Sequence, residues 1–227
     1  MKNYSAFDIL GPIMIGPSSS HTAGAARLAK IAAKIAGEKI VKVKFLLHGS
    51  FAKTYKGHGT DRALVAGVLG MDPMDERLRD AMDIAREKGL DFSFEEADLG
   101  DNVHPNTVKF ILTTSEELEV NVVGSSIGGG NIEIFEVDGQ RLKFTGEYPT
   151  LIITHLDTPG VIYKATTVLY KEDVNIASMN VYRKGKGSEA SMVVEIDSIV
   201  NDDIIYKLEK VENIKTVDQI VPPKEGE

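Results

Sequence analysis

Five histidines, His21, His48, His58, His104 and His155, are the side chains of this sequence best suited to moving protons near neutral pH. Four of them stand beside turn signals, and none lies in HExxH or another tight metal-ligand spacing. Ser18-Ser19-Ser20-His21-Thr22 precedes an alanine-rich stretch. One serine suffices to cap a helix. The string exceeds that need, and a helix N-terminus with free N–H groups also suits a carboxylate or phosphate. Capping and small-anion binding both fit it. Gly57-His58-Gly59-Thr60-Asp61 sets an imidazole between two residues without side chains, so a ligand can approach ring and backbone closely; a flexible turn is the plainer reading. The string lacks the last glycine and the preceding strand of a dinucleotide fingerprint, and it lacks the GK[ST] of a P-loop. His104 precedes Pro105 and is therefore held extended, in a plain turn or a site loop that includes Asn106. Gly128-Gly129-Gly130, after Ser125-Ser126-Ile127, is the most permissive backbone in the chain and suits either an anion cradle or a loose turn.

The elements that must position these groups follow from pattern. Residues 23–36 are small and apolar and read as a closely packed helix stopped by Gly37. Residues 41–47 alternate with Lys42 and Lys44, a strand with one exposed face. Residues 48–60 read as a glycine-rich loop and 61–69 as a helix; Asp72-Pro73 reads as the N-cap and first turn of a further helix ending near Gly89. Residues 92–94, 107–113 and 118–123 are strand-like, and 131–137 and 140–144 flank Asp138-Gly139, a hairpin signal. After Tyr148-Pro149 the order becomes βαββαβ, a ferredoxin-like module. The fold class is therefore α+β, with domains 1–148 and 149–222 and a tail 223–227.

Composition bounds the function. The chain has 227 residues, 42% hydrophobic and 26% charged, enough for a core. No apolar run of 18 residues exists to cross a membrane as a helix. The start, Met1 to Asp8, lacks the apolar core of a signal peptide, which points to the cytoplasm. Net charge is −8, shared equally by the parts before and after Tyr148/Pro149; this argues against wrapping nucleic acid or docking on anionic lipid. With no cysteine, the chain has no disulfide, thiolate zinc site, cysteine nucleophile or self-ligated iron–sulfur cluster.

Gly16-Pro17-Ser18-Ser19-Ser20-His21-Thr22, His48-Gly49-Ser50, Gly57-His58-Gly59-Thr60-Asp61, His104-Pro105-Asn106 and Ser126-Ile127-Gly128-Gly129-Gly130 occur in this order. Together they resemble the beta subunits of bacterial iron–sulfur-dependent L-serine dehydratases. Their fold is a mixed α/β domain like the allosteric substrate-binding domain of some phosphoglycerate dehydrogenases, followed by an ACT domain. The resemblance implies conversion of L-serine to pyruvate and ammonia through an aminoacrylate. It also implies a [4Fe–4S] cluster acting as a Lewis acid on an alpha subunit, which fits a chain without cysteine. β-Elimination needs an acid for the leaving hydroxide, a base for the α-proton and a clamp for the carboxylate. His21 and His58 become the catalytic candidates. Ser18, Ser19, Ser20, Thr22, Gly57, Thr60, His104, Asn106, Gly129 and Gly130 become the substrate-binding ones, with no metal ligand from this chain. In the ACT-like module the effector candidates are Asp157, Pro159 and Gly160 in the first turn, facing Asn175 and Ile176; Asp157 either caps the helix or receives an ammonium group. Self-association through the exposed sheet edge is expected. The competing reading is a non-catalytic regulatory module that binds serine or a small anion. A pyridoxal-phosphate lyase would need a Schiff-base lysine in a much larger fold.

Overall fold

The computed structural model describes residues 13–37, 39–183 and 185–222. The amino-terminal octapeptide and the 223–227 tail lie outside the described residues. The chain divides into two compact units, one running to Gly139 and the other Gln140–Pro222.

The first unit lays helices on a mixed sheet. A π-helical turn, Ser19–Gly24, runs directly into α1 (Ala25–Ala36). Then come β1 (Ile40–Leu47), α2 (Gly49–His58), α3 (Thr60–Val68), a 3₁₀ turn (Glu76–Asp80), α4 (Ala81–Glu87), β2 (Asp91–Glu96), β3 (Thr107–Thr114), β4 (Glu119–Gly128) and β5 (Asn131–Val137). The strands order as β2-β1-β3-β4-β5. β1 and β2 are parallel and the other pairs antiparallel. The alternation read in β1 is real: Val43, Phe45 and Leu47 are buried while Lys42 is exposed. Alanine governs α1, where Ala25, Ala26, Ala29 and Ala32 are fully buried. Such short side chains let α3 approach closely: a Cβ on Gly67 would lie 2.2 Å from the Ala26 carbonyl oxygen and 2.6 Å from the Ala29 Cβ. The two helices run parallel, Thr22 bonding to the His58 carbonyl at the start and Gly67 lying on Ala26 and Ala29 further along.

Three expectations change. Residues 49–58 are helical rather than loop. The glycines that suggested a loop sit at the ends of α2, where Gly49 (φ 57°) and Gly59 (φ 68°) adopt the left-handed conformation that ends or redirects a helix. Asp72 does not cap a helix: its carboxylate accepts from the buried Lys30 ammonium at 2.7 Å. A buried charge must be paired, and the capping role passes to Asp75, which accepts from the Arg77 N–H. β4 extends five residues past 123, and Gly128, Gly129 and Gly130, all at positive φ, form its turn into β5. The Asp138-Gly139 turn forms as expected, with φ 47° and 75°, the type I′ signature.

The second unit holds β6 (Gln140–Phe144), β7 (Thr150–Leu156), α5 (Val161–Lys171), β8 (Ile176–Arg183), β9 (Glu189–Ile196), α6 (Asp202–Glu209) and β10 (Ile214–Ile220). From β7 onward the order is βαββαβ, and the antiparallel sheet runs β10-β7-β9-β8. This is the expected ferredoxin-like arrangement. Its core joins Leu151, Ile153, Met192 and Val194 of the sheet to Ala165, Leu169, Ile204 and Leu208 of the helices.

Candidate active site

The histidine motifs, far apart in sequence, converge at the start of α1. Ser18 is the N-cap of the π-helical turn, its Oγ accepting from the His21 N–H at 3.1 Å. π-Helical turns are rare and concentrate at functional sites. This one displays His21 and turns Thr22 toward the end of α2, where the Thr22 hydroxyl donates to the His58 carbonyl at 3.3 Å. The His21 and His58 rings lie with centroids 4.8 Å apart. The Phe51 ring stands edge-on to His21 at 5.3 Å.

The two imidazoles are not equivalent. His58 Nδ1 lies 3.3 Å from the Thr54 carbonyl, which can only accept, so Nδ1 carries the proton and Nε2 is the basic nitrogen of the neutral ring. His58, with Gly16, Pro17, Thr22, Gly57 and Gly59, lines a cavity of about 430 Å³ whose cationic groups are Lys56, Arg62 and Arg79. His21 does not line it. Its Nε2 lies 3.1 Å from the Ser50 Oγ and its Nδ1 3.5 Å from the Ser18 Oγ. Burial, and secondarily the neighbouring His58, hold His21 below the ordinary histidine range. A histidine lowered on folding binds protons more readily when unfolded, so its contribution to stability is present above the unfolded value and lost as pH falls. The first unit is expected to melt at lower temperature at pH 5.5 than at pH 7.5. His21→Gln should flatten that difference, as differential scanning calorimetry would register.

The remaining candidates surround this pair. The Pro105 carbonyl accepts from the Ser50 N–H at 2.8 Å, which brings the His104–Asn106 loop to the start of α2. A Cβ on Gly49 would fall 2.7 Å from that carbonyl oxygen. His104 itself is exposed, its Nδ1 accepting from the Asn106 N–H at 3.1 Å. The Asn106 carbonyl accepts from the Ser126 N–H, and the buried Ser126 hydroxyl lies against Gly24, where a Cβ would stand 2.0 Å from its oxygen. The Gly130 carbonyl accepts from Arg27 at 3.3 Å, which ties the glycine turn to the first turn of α1. Thr60 is buried, and its hydroxyl has no hydrogen-bond partner among the described residues. Ser19 and Ser20 lie within the π-helical turn, and no contact brings Gly129 to the histidines. Ser50, quoted in the sequence only within the His48-Gly49-Ser50 string, touches His21; the i, i+4, i+8 spacing of Ser50, Thr54 and His58 sets the three on one face of α2.

In the second unit the effector candidates separate into two groups. Asp157 accepts from Arg183 at 3.1 Å and does not cap α5, whose N-cap is Gly160 at φ 89°. Asn175 and Ile176 line a cavity of about 630 Å³ along α5 with Tyr163, Thr166 and Tyr170; Asp157, Pro159 and Gly160 do not line it. His155 is fully buried, its Nδ1–H donating to the Leu156 carbonyl.

A helix-on-sheet unit with a histidine–hydroxyl cluster where its helices begin, joined to a ferredoxin-like unit, makes this an α+β protein with a candidate proton-transfer site. The serine dehydratase beta chain family matches residues 5–136 and the ACT domain family residues 149–213. The chain belongs to the serine dehydratase beta chain family. It is 42% identical over 216 residues to the L-serine dehydratase beta chain of Peptoniphilus asaccharolyticus, covering 95% of this chain and 97% of that one. It is 45% identical over 220 residues to the probable L-serine dehydratase beta chain of Bacillus subtilis, covering 97% and 99%. The D-3-phosphoglycerate dehydrogenase of Methanocaldococcus jannaschii is 30% identical over 191 residues, covering 84% of this chain but 36% of that one.

Proposed function

We propose that this chain is the beta subunit of an L-serine ammonia-lyase, converting L-serine to pyruvate and ammonia in the cytoplasm with an alpha subunit that carries a [4Fe–4S] cluster. The near full-length likeness to L-serine dehydratase beta chains favours this over a purely regulatory module. The observation that carries it is His58, with Nδ1 engaged by Thr54 and its ring on a cavity that also presents cationic side chains.

The chain has no cysteine, and among the described residues no group of three or more histidine, aspartate or glutamate side chains could hold a metal. These residues do not fit as cluster ligands, so we assign the cluster to the alpha subunit, where it would act on the substrate hydroxyl as a Lewis acid. The contributions of this chain are separate from that. Arg62, Arg79 and Lys56 give the cavity a positive potential that draws a carboxylate. The Ser18–Ser20 hydroxyls, Thr22 and Thr60 are the substrate-binding groups, with Gly57 leaving room beside the ring. Asn106, His104 and the Gly129–Gly130 turn form the outer loops of the site. His58 Nε2 accepts the α-proton, and His21 holds the ring beside it.

In the second unit we propose that residues 149–222 act as the regulatory ACT domain, pairing two copies through an exposed edge of its four-stranded sheet. The first-turn residues Asp157, Pro159 and Gly160 and the separate pair Asn175 and Ile176 would then contribute to receiving a small amino acid at the interface of the paired copies. The purified chain is expected to show no serine turnover, and to gain it only when co-purified anaerobically with its cysteine-bearing partner. Pyruvate formation is measured by coupled assay, with light scattering on the same chain expected to give the mass of a dimer. Serine turnover by the single chain with no added protein or iron would overturn the subunit assignment.

A further inference from the structure

The side chain that distinguishes His21 from a surface histidine is Ser50. Ser50, Thr54 and His58 succeed one another at four-residue intervals along α2, and residues so spaced share one face of a helix. His21 lies against that face, in contact with Ser50, Phe51 and His58. The two ends of the face are joined through the backbone: the Thr54 hydroxyl donates to the Ser50 carbonyl at 2.7 Å, and His58 Nδ1–H donates to the Thr54 carbonyl at 3.3 Å. Ser50 is itself fixed, because its N–H is bound to the Pro105 carbonyl at 2.8 Å and the neighbouring Gly49 permits that close approach. Its hydroxyl is not used to cap α2, whose N-cap is His48 and carries no side-chain cap. What that hydroxyl does instead is meet His21 Nε2 at 3.1 Å.

We propose that Ser50 is a positioning residue of the active site: its hydroxyl, by bonding His21 Nε2, fixes the plane of that ring against His58, so that the His58 ring keeps its place on the cavity. This rests on the lyase reading given above. A histidine whose ring nitrogen is held by a hydrogen bond keeps a defined orientation. Of the two nitrogens of His21, Nε2 has the shorter contact, 3.1 Å against 3.5 Å for Nδ1, so Ser50 is the closer of the two hydroxyls that hold the ring. Without it the ring is free to turn about its Cβ–Cγ bond, and the contact with His58 is no longer set.

Ser50→Ala and Ser50→Thr in the full chain test this, in the isolated chain and in the enzyme assembled with its partner. In the isolated chain, the His21 ring resonances of labelled histidine are expected to coincide in the wild type and in Ser50→Thr, and to shift or broaden in Ser50→Ala. In the assembled enzyme Ser50→Ala should lower kcat about 10- to 100-fold with KM little changed, the scale of misplacing a reacting group by about an ångström. Ser50→Thr should restore most of it. Unchanged His21 signals in Ser50→Ala, or loss of kcat that Ser50→Thr fails to restore, overturns the positioning role. The lyase reading fails separately, if the assembled wild-type enzyme shows no serine turnover. If Ser50→Ala fails to fold while Ser50→Thr folds with wild-type His21 signals and kcat, the hydroxyl is shown to be required for structure rather than for aim, and the proposal is overturned.

Discussion

His58→Ala is expected to lower serine turnover by the assembled enzyme about 10²–10⁴-fold, the usual loss when a proton-transferring side chain is removed. Its thermal midpoint should stay close to that of the wild type. The reason for the separation is local. His58 is the last residue of α2, and Gly59 in its left-handed conformation makes the turn into α3. The His58 side chain contributes one hydrogen bond, to the Thr54 carbonyl, and lies on a cavity rather than in the core. Its backbone carbonyl, which receives the Thr22 hydroxyl, is retained in the alanine variant. His58→Gln should rescue little, because an amide has no basic nitrogen at neutral pH. Steady-state kinetics of the assembled variants, with calorimetry on the same samples, decide the matter. Kinetics within threefold of the wild type in His58→Ala (roughly 0.65 kcal/mol at 1.36 kcal/mol per tenfold) would remove this residue from the chemistry. His155→Ala is the comparison: it should cost stability, since the ring is buried in the second unit, and leave the chemistry of the first unit alone.

Gly67→Ala is expected to destabilise the first unit by about 3 kcal/mol, at the upper end of what overpacking costs. The added methyl meets the facing helix at two backbone atoms and one short side chain: the Ala26 carbonyl oxygen at 2.2 Å, the Lys30 nitrogen at 3.0 Å and the Ala29 Cβ at 2.6 Å. No flexible side-chain tip is available to move aside, so α1 and α3 must separate. These two helices begin at the site, α1 following the His21 turn and α3 following His58 and Gly59. Separation should therefore reach the chemistry, lowering kcat as well as the melting temperature. The midpoint should drop by about 10 °C for a unit of this size. Gly57→Ala is the contrasting substitution, because no atom lies within 4 Å of the position its Cβ would take. Equal melting temperatures for the two variants would mean that α1 and α3 are not packed as closely as described.

Much of this protein is written in local pattern. The alternation of β1, the alanine-rich α1, the Asp138-Gly139 turn and the βαββαβ order after residue 149 all follow from side-chain period and turn chemistry, which act over a few residues. The site motifs are likewise local strings, and they carry the family resemblance by themselves. What the sequence could not determine is which of those groups meet, and in what state. α2 looks like a loop because its glycines weaken helix propensity, and it forms because tertiary contacts hold its ends. Asp72 resembles a cap until Lys30 is buried opposite it, since desolvating a charge outweighs the roughly 1 kcal/mol of a capping bond. His21 and His58 are 37 residues apart in the chain and 4.8 Å apart as rings. That distance depends on the parallel packing of α1 and α3, which no local spacing encodes. The division of labour between the two histidines, one lining the cavity and one held by Ser50, is set only when tertiary packing brings their partners to them.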